Sequence, residues 1–146
     1  MDLTTVFETL PFSEHLGIEI DDVEDGSAEG HIDLQPFHSS NHDRMIAHGG
    51  VPYALADTVG GAAVISRTGS VSPTIDMRID YLAPATGDRL DASAEVVRLG
   101  GSVATADVEL TDETGDRIAT ARGVYKTGGG EGDTAWTEAE QQSRLE

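Results

Sequence analysis

The feature that most constrains the fold is one segment, residues 50–66, which is apolar on nearly every side of a helix. It carries Pro52 in its first turn, where the missing N–H costs nothing, and is otherwise rich in glycine, alanine and valine. A helix that is apolar all round is buried. Gly60 and Gly61 each lower helix propensity by about 1 kcal/mol, so we expect neighbouring strands to approach the helix closely there.

Strand-like alternation of apolar and polar residues lies on both sides of this helix. Two strands are predicted before it, over residues 17–23 and 28–34, joined by an Asp25-Gly26 turn. Four more are predicted after it, over residues 72–83, 89–99, 102–111 and 117–127. This order predicts an α+β domain in which a curved antiparallel sheet wraps around one long central helix.

The length of 146 residues suits a single domain, which we place at residues 1–127. A short helix over residues 3–10, ending near Pro11, and a loop over residues 36–45 complete its predicted elements. Residues 128–146 begin with repeated glycines and are predicted to form a flexible acidic C-terminal tail.

The net charge of −18, from 27 acidic and 9 basic residues, is extreme for this length. The composition resembles that of haloarchaeal proteins, in which high salt screens the repulsion between carboxylates. It argues against a nucleic-acid partner, because phosphates require a basic surface. A second interpretation of the acidic surface is an interaction module that binds a basic protein.

The chain contains no cysteine, which excludes disulfides, thiolate catalysis and thiolate metal sites. The N-terminal sequence MDLTTVFETL has neither a basic region nor a long apolar run, and no later stretch approaches the length of a membrane span. We therefore expect a cytoplasmic protein without a membrane partner.

Asp57 is the residue that does not fit its surroundings, because it lies in the middle of the apolar helix. A carboxylate in such a place is costly unless another group pairs with it or a reaction uses it. This pattern predicts a functional acid.

Gly49 stands just before the same helix, where a backbone N–H and the helix dipole can stabilise an oxyanion. The alternative is that Gly49 and Gly50 only form a sharp turn. Asp57 follows Gly49 by eight residues, or about 12 Å along a helix. The two groups can act on one bond only if they come from different subunits, so the spacing predicts a dimer with sites at its interface.

The order of these residues resembles the hotdog-fold acyl-CoA thioesterases, in particular the phenylacetic-acid-degradation (PaaI-like) branch. The resemblance runs from about residue 12 to residue 127. It rests on Asn41, the His48-Gly49-Gly50 turn, Asp57, Thr74 and a D-x-x-x-x-Y-x-x-P run from Asp76 to Pro84. It implies one hotdog domain that hydrolyses an acyl- or aryl-acyl-CoA to a free acid and CoA, as a homodimer or a dimer of dimers.

The resemblance implies the following catalytic residues: Asp57 as general base or nucleophile, Gly49 as oxyanion donor, Asn41 and Thr74. The candidate substrate-binding residues are His48, Gly50, Tyr53 and Arg98. Asn41 is alternatively a turn residue, and Thr74 an ordinary strand residue. The arginines available for the CoA phosphates are Arg44, Arg67, Arg78, Arg98 and Arg122.

No metal and no separate cofactor are predicted. His38 and His42 are four residues apart, but they fall in a loop and lack helical geometry. Two other functions stay open: a non-catalytic acyl-CoA-binding or acidic interaction module, and a hotdog hydratase that acts on enoyl thioesters.

Overall fold

The computed structural model of the chain describes residues 3–128. Its helices are α1 (Leu3–Glu8), α2 (Pro11–Leu16) and α3 (Gly50–Thr68), with a short 3-10 helix at Pro36–His38. Its strands are β1 (Ile18–Glu24), β2 (Ser27–Asp33), β3 (Thr74–Tyr81), β4 (Arg89–Leu99), β5 (Val103–Asp112) and β6 (Arg117–Lys126). The predicted order of two strands, one long helix and four strands is therefore confirmed.

The six strands form one sheet in the order β1-β2-β4-β5-β6-β3, and every neighbouring pair is antiparallel. The chain thus places β3 at one edge, although β3 comes directly after the long helix. The other edge is β1. A β-bulge between Thr74 and Asp76 interrupts the pairing of β3 with β6.

The helix α3 lies against the inner face of the sheet, mainly on β2, β4 and β5. Its side chains Leu55, Val59 and Val64 are fully buried in the same core as Leu90 and Leu110 of the sheet. The strand β5 alternates as its sequence predicts, with one buried and one wetter face. The predicted α+β architecture, a sheet wrapped around one helix, is confirmed.

The N-terminal prediction was partly wrong, because a second helix follows the first. The helix α1 ends at Glu8, and Pro11 starts α2, at a first-turn position that suits a residue without an N–H. The helix α2 ends at Gly17, whose φ of 77° is the left-handed conformation of a helix cap. Six residues are too few for a clear helical period, so the pattern did not show it.

Three other predictions concern segments outside the regular core. The loop at residues 36–45 includes the 3-10 helix, and Ser39 forms an isolated β-bridge with Ala47 just beyond it. The predicted tail lies outside the described residues from residue 129 onward and stays a prediction. Among the described residues, no helix has the length and apolarity needed to cross a membrane.

Of the two adjacent helix glycines, the structure requires Gly60 but not Gly61. A Cβ on Gly60 would lie 2.5 Å from the Tyr125 hydroxyl oxygen, whereas a Cβ on Gly61 would lie 3.5 Å from Tyr125 Cε1. The first distance is a clash and the second is an ordinary contact. The close approach expected from the sequence therefore occurs at Gly60 alone.

We predict that Gly60→Ala destabilises the fold by about 1–3 kcal/mol, because the new methyl group overpacks against Tyr125. The matched variant Gly61→Ala is expected to stabilise the fold by about 1 kcal/mol through its higher helix propensity, because the new methyl group meets no clash. Thermal unfolding monitored by circular dichroism in molar salt measures both changes. Equal effects of the two substitutions would contradict the steric role of Gly60.

Candidate active site

The Asp57 carboxylate is held at one of its two oxygens. Asp57 is half-buried in the middle of α3. The Thr74 hydroxyl donates to Asp57 Oδ1 at 2.7 Å, and the Tyr125 hydroxyl lies 3.4 Å from the same atom and 3.1 Å from the Asp57 carbonyl oxygen. Within residues 3–128, Oδ2 has no hydrogen-bond partner. The side chain is thus oriented, and one oxygen stays available for chemistry.

The two donors come from paired positions at one end of the sheet. Thr74 begins β3 and faces Tyr125 near the end of β6. The Tyr125 side chain is almost fully buried, and Gly123 as well as Gly60 leaves room for its hydroxyl. Burial and the nearby Asp57 charge raise the pKa of Tyr125, so its hydroxyl remains a donor at any physiological pH.

Tyr125 was not among the residues predicted for the site. Its role depends on Gly60 and Gly123, which are distant from each other in sequence, so no local motif shows it. A buried tyrosine needs a partner for its hydroxyl. That rule, applied to the tyrosine near the end of β6, was the signal that the sequence offered.

An apolar cavity of about 350 Å³ lies beside Asp57. Asp57, Thr74 and Tyr125 form its polar end. Its apolar walls come from α1 and its following residues, from α3, and from the segment before β3: Phe7, Leu10, Gly61, Ile65, Val71 and Pro73. A carboxylate that opens onto an apolar cavity is a typical arrangement for a site that acts on the polar end of an apolar molecule.

Gly49 lies at the start of α3, in a turn whose hydrogen bonds fix the orientation of the backbone. The Tyr81 hydroxyl donates to the Gly49 carbonyl oxygen at 2.6 Å. The Gly50 N–H donates to His48 Nδ1 at 2.9 Å, and the Val51 N–H to the His48 carbonyl at 2.8 Å. In the described part of the chain, the Gly49 N–H has no acceptor. A free backbone donor at a helix start is a ready anion site.

His48 and Tyr81 act on this turn in different ways. The His48 ring accepts a backbone hydrogen bond at Nδ1, so a neutral ring carries its proton on Nε2. Burial and nearby Tyr53 raise the pKa of Tyr81, which keeps the Tyr81 hydroxyl a donor to Gly49. A second cavity of about 280 Å³ lies next to Gly49 and Tyr81.

Gly49 and Asp57 open onto separate cavities of one protomer. They are eight residues apart on one rigid helix, which corresponds to about 12 Å. One protomer therefore does not bring the carboxylate and the free N–H to a single reacting carbonyl.

The remaining predicted residues make no hydrogen bond to Asp57 within residues 3–128, although Tyr53 lies one helical turn before it. Asn41 is exposed, and its Oδ1 accepts from the N–H groups of Asp43 and Arg44, which is the turn contact of the alternative interpretation. The Tyr53 hydroxyl donates to the Met77 carbonyl oxygen at 3.0 Å. In the described residues, neither Asn41 nor Tyr53 forms a hydrogen bond to the Asp57 carboxylate.

Arg98 belongs to a small group of unpaired cations. Arg67, Arg78, Arg89, Arg117 and Arg122 all pair with carboxylates. Over residues 3–128, the lysine and arginine side chains without such a partner are Arg44, Arg98 and Lys126. Arg98 is next to Leu99, which lies in the same row of the sheet as Tyr125. Arg98 and Lys126 are thus at the end of the sheet where Tyr125 contacts Asp57.

One cluster of potential metal ligands occurs in the described residues, far from Asp57 in sequence. It consists of Glu19, Asp21 and the buried His31. His31 Nδ1 lies 2.8 Å from Asp21 Oδ2, and His31 Nε2 lies 2.9 Å from Glu19 Oε2. Both ring nitrogens of His31 therefore lie against carboxylates.

Comparison with known proteins assigns the chain to a family. The model of the thioesterase superfamily matches residues 45–119, which include Gly49, Asp57 and Thr74. The medium/long-chain acyl-CoA thioesterase YigI of Salmonella typhimurium is 33% identical over 134 residues, covering 82% of this chain and 86% of the relative.

Solved structures agree with this assignment. The PaaI protein from the phenylacetic acid degradation operon of E. coli is 28% identical, with a TM-score of 0.77, and the match covers 86% of this chain and 90% of that one. A mutant of the phenylacetic acid degradation protein PaaI from Thermus thermophilus is 32% identical, with a TM-score of 0.74 and coverage of 81% and 99%. The chain therefore belongs to the thioesterase superfamily and is a PaaI-like hotdog enzyme of the thioester hydrolase class.

Proposed function

We propose that this protein hydrolyses acyl-CoA thioesters to a free acid and CoA, with Asp57 as the catalytic carboxylate. The proposal rests on how the two oxygens of that carboxylate are bound. Oδ1 is held by Thr74 and Tyr125, Oδ2 has no hydrogen-bond partner within residues 3–128, and Asp57 lines an apolar cavity. The similarity to YigI, whose name describes a medium/long-chain acyl-CoA thioesterase, supports the same substrate class.

Two routes are compatible with this geometry. In the first, Asp57 takes a proton from water, and the water oxygen adds to the acyl carbon. In the second, Oδ2 itself adds to the acyl carbon and gives a mixed anhydride, which water then cleaves. In both, the C–S bond breaks and CoA leaves. In the first route the sulfur receives the proton that Asp57 took from water, and in the second it leaves as the thiolate, which takes a proton from solvent water. Both require an ionised carboxylate with a free oxygen.

The thioester carbonyl develops negative charge when its carbon is attacked, and the Gly49 N–H is the proposed donor to that oxygen. Gly49 is too far from Asp57 on the same helix, so the donor comes from a second copy of the chain. Tyr81 supports this role, because its hydroxyl holds the Gly49 carbonyl oxygen and leaves the Gly49 N–H free. His48 and Gly50 complete the turn in which the donor sits.

The two ends of the substrate are assigned by polarity. We assign the apolar acyl group, an alkyl chain or an aromatic ring, to the cavity walled by Leu10, Ile65 and Val71. Arg98 and Lys126 are the unpaired cations at the same end of the sheet, so we assign the CoA phosphates to them. Arg98 was predicted from the sequence; Lys126 was not.

We predict that Asp57→Asn lowers kcat by about 10³-fold, because the amide can neither accept the proton nor form the anhydride. Release of free thiol from a panel of acyl-CoA substrates, including medium-chain alkyl and phenylacetyl thioesters, measures the rate in molar salt. The matched control is Asp22→Asn, which changes an exposed β1 carboxylate in the same way. We expect acyl-CoA to bind Asp57→Asn with unchanged Kd in calorimetry.

The panel also tests the competing functions. No turnover of any acyl-CoA by the native chain, together with tight binding, would favour the non-catalytic binder. Addition of water to an enoyl thioester without release of thiol would favour the hydratase.

We predict that Tyr125→Phe lowers kcat about three- to tenfold while KM stays within a factor of two, because one hydrogen bond to the carboxylate is worth about 1 kcal/mol. The readout that separates positioning from packing is the double variant with Asp57→Asn. If Tyr125 acts through the carboxylate, its substitution has no further effect once the carboxylate is gone. An equal loss in both backgrounds would identify a purely structural role.

A further inference from the structure

Gly61 is a buried position of α3 at which nothing occupies the place of a side chain. At Gly60, the Tyr125 hydroxyl fills that place and excludes a Cβ. Among the described residues, a Cβ on Gly61 would meet only one atom within 4 Å beyond the adjacent backbone, Tyr125 Cε1 at 3.5 Å. The empty place belongs to the apolar cavity of about 350 Å³ that Asp57 also lines.

Packing therefore does not account for glycine at this position. Alanine would fit there, and it would raise the helix propensity of α3. A residue that lowers stability without a packing reason is typical of positions that serve a functional site. The effect of Gly61 on the molecule lies in the cavity, which its missing side chain enlarges.

Gly61 lies between the carboxylate and the inner end of one cavity wall. Asp57, Gly61 and Ile65 follow one another at intervals of four residues, so they share one face of α3, and all three line the cavity. Along the helix axis, Gly61 is about 6 Å and Ile65 about 12 Å from Asp57. An acyl group that starts at Asp57 and follows this face passes Gly61 before it reaches Ile65.

The direction of helical side chains makes position 61 critical for that path. Side chains of a helix lean toward its N-terminus, so each one covers the preceding turn. A side chain at position 61 would lie over the turn of Asp57 and Thr58, which both line the cavity. It would separate the carboxylate from the apolar walls beyond it. With glycine, the carboxylate and these walls share one continuous space.

The space beyond Gly61 is bounded and apolar. Phe7 of α1 is only 7% exposed, whereas Leu10 and Val71 are 44% and 53% exposed. The cavity is therefore closed on the side of Phe7 and open on the side of Leu10 and Val71. Within residues 3–128, no lining residue except Asp57 carries a charge. This lining suits an alkyl chain.

We propose that Gly61 determines the acyl specificity of this enzyme, because the place of its missing side chain is the passage through which an alkyl chain runs from Asp57 toward Ile65 and Phe7. With C–C bonds of about 1.5 Å, a path of about 12 Å holds an extended chain of about eight to ten carbons. An acetyl group ends before Gly61 and does not use the passage. The inference rests on the proposed function, which places the thioester carbonyl at Asp57.

Gly61→Ala tests the passage with a series of acetyl-, butyryl-, hexanoyl- and octanoyl-CoA, followed by release of free thiol in molar salt. For the native chain, we expect kcat/KM to rise about fourfold per added methylene, because each one is buried in the cavity. In Gly61→Ala, we expect kcat/KM for octanoyl-CoA to fall about 10- to 200-fold and that for acetyl-CoA to stay within about a factor of three, since one methyl group in an apolar pocket has an effect of that size on the longer chain.

The matched control is Gly60→Ala, the same substitution one residue earlier. Its new methyl group meets the Tyr125 hydroxyl, and Gly60 does not line the cavity. We expect this variant to lose thermal stability and to slow acetyl- and octanoyl-CoA by the same factor, whereas Gly61→Ala gains stability and loses only the longer substrates. An equal loss at every chain length in Gly61→Ala, an unchanged octanoyl rate, or a native chain that prefers acetyl-CoA would overturn the inference.

Binding separates this inference from the proposed function. Calorimetry with acetyl- and octanoyl-CoA is performed on Asp57→Asn with and without Gly61→Ala. A Kd for octanoyl-CoA at least about tenfold weaker with Gly61→Ala, combined with no hydrolysis by the native chain, would leave the passage and overturn the thioesterase. Thiol release by the native chain without any dependence on chain length in Gly61→Ala would leave the thioesterase and overturn the passage. Absence of binding and of hydrolysis would overturn both.

Discussion

The burial of one carboxylate in the middle of α3 is the constraint on which the rest of the structure depends. A charge in that position is tolerable only when donors meet it. The fold supplies them from two strands, as Thr74 of β3 and Tyr125 of β6. Tyr125 in turn requires Gly60 to lack a side chain. One acidic residue thus connects a threonine of the edge strand, a buried tyrosine of β6 and, through that tyrosine, a glycine of the helix.

Most of the fold was predictable because its elements have strong periods. The six strands alternate, and α3 is long and apolar, so their order and the sheet around the helix followed from the sequence. The helix α2 did not, because Pro11 is equally compatible with the end of one helix and the start of the next. At Gly61 the sequence predicted a close approach of a neighbouring strand. In the structure, a Cβ added there would make only an ordinary contact.

The site was predictable only in part, for a related reason. Asp57 is conspicuous in the sequence because a charge in an apolar helix violates a local rule, and Gly49 because it stands just before the start of that helix. Tyr125 violates none, since tyrosine is common in strands. Its role arises from three segments that only the folded chain brings together. The hydroxyl of Tyr81 at Gly49 is a similar case, because 32 residues separate the two in sequence.

The rigid spacing of Gly49 and Asp57 along α3 has a consequence for inheritance. In the proposed dimer, each site takes its carboxylate from one copy and its N–H from the other. Consider a mixed dimer in which one copy lacks the carboxylate and the other lacks the N–H. Both defects then fall in the same site, and the second site is intact. Two alleles that are each inactive alone would complement each other within one assembly.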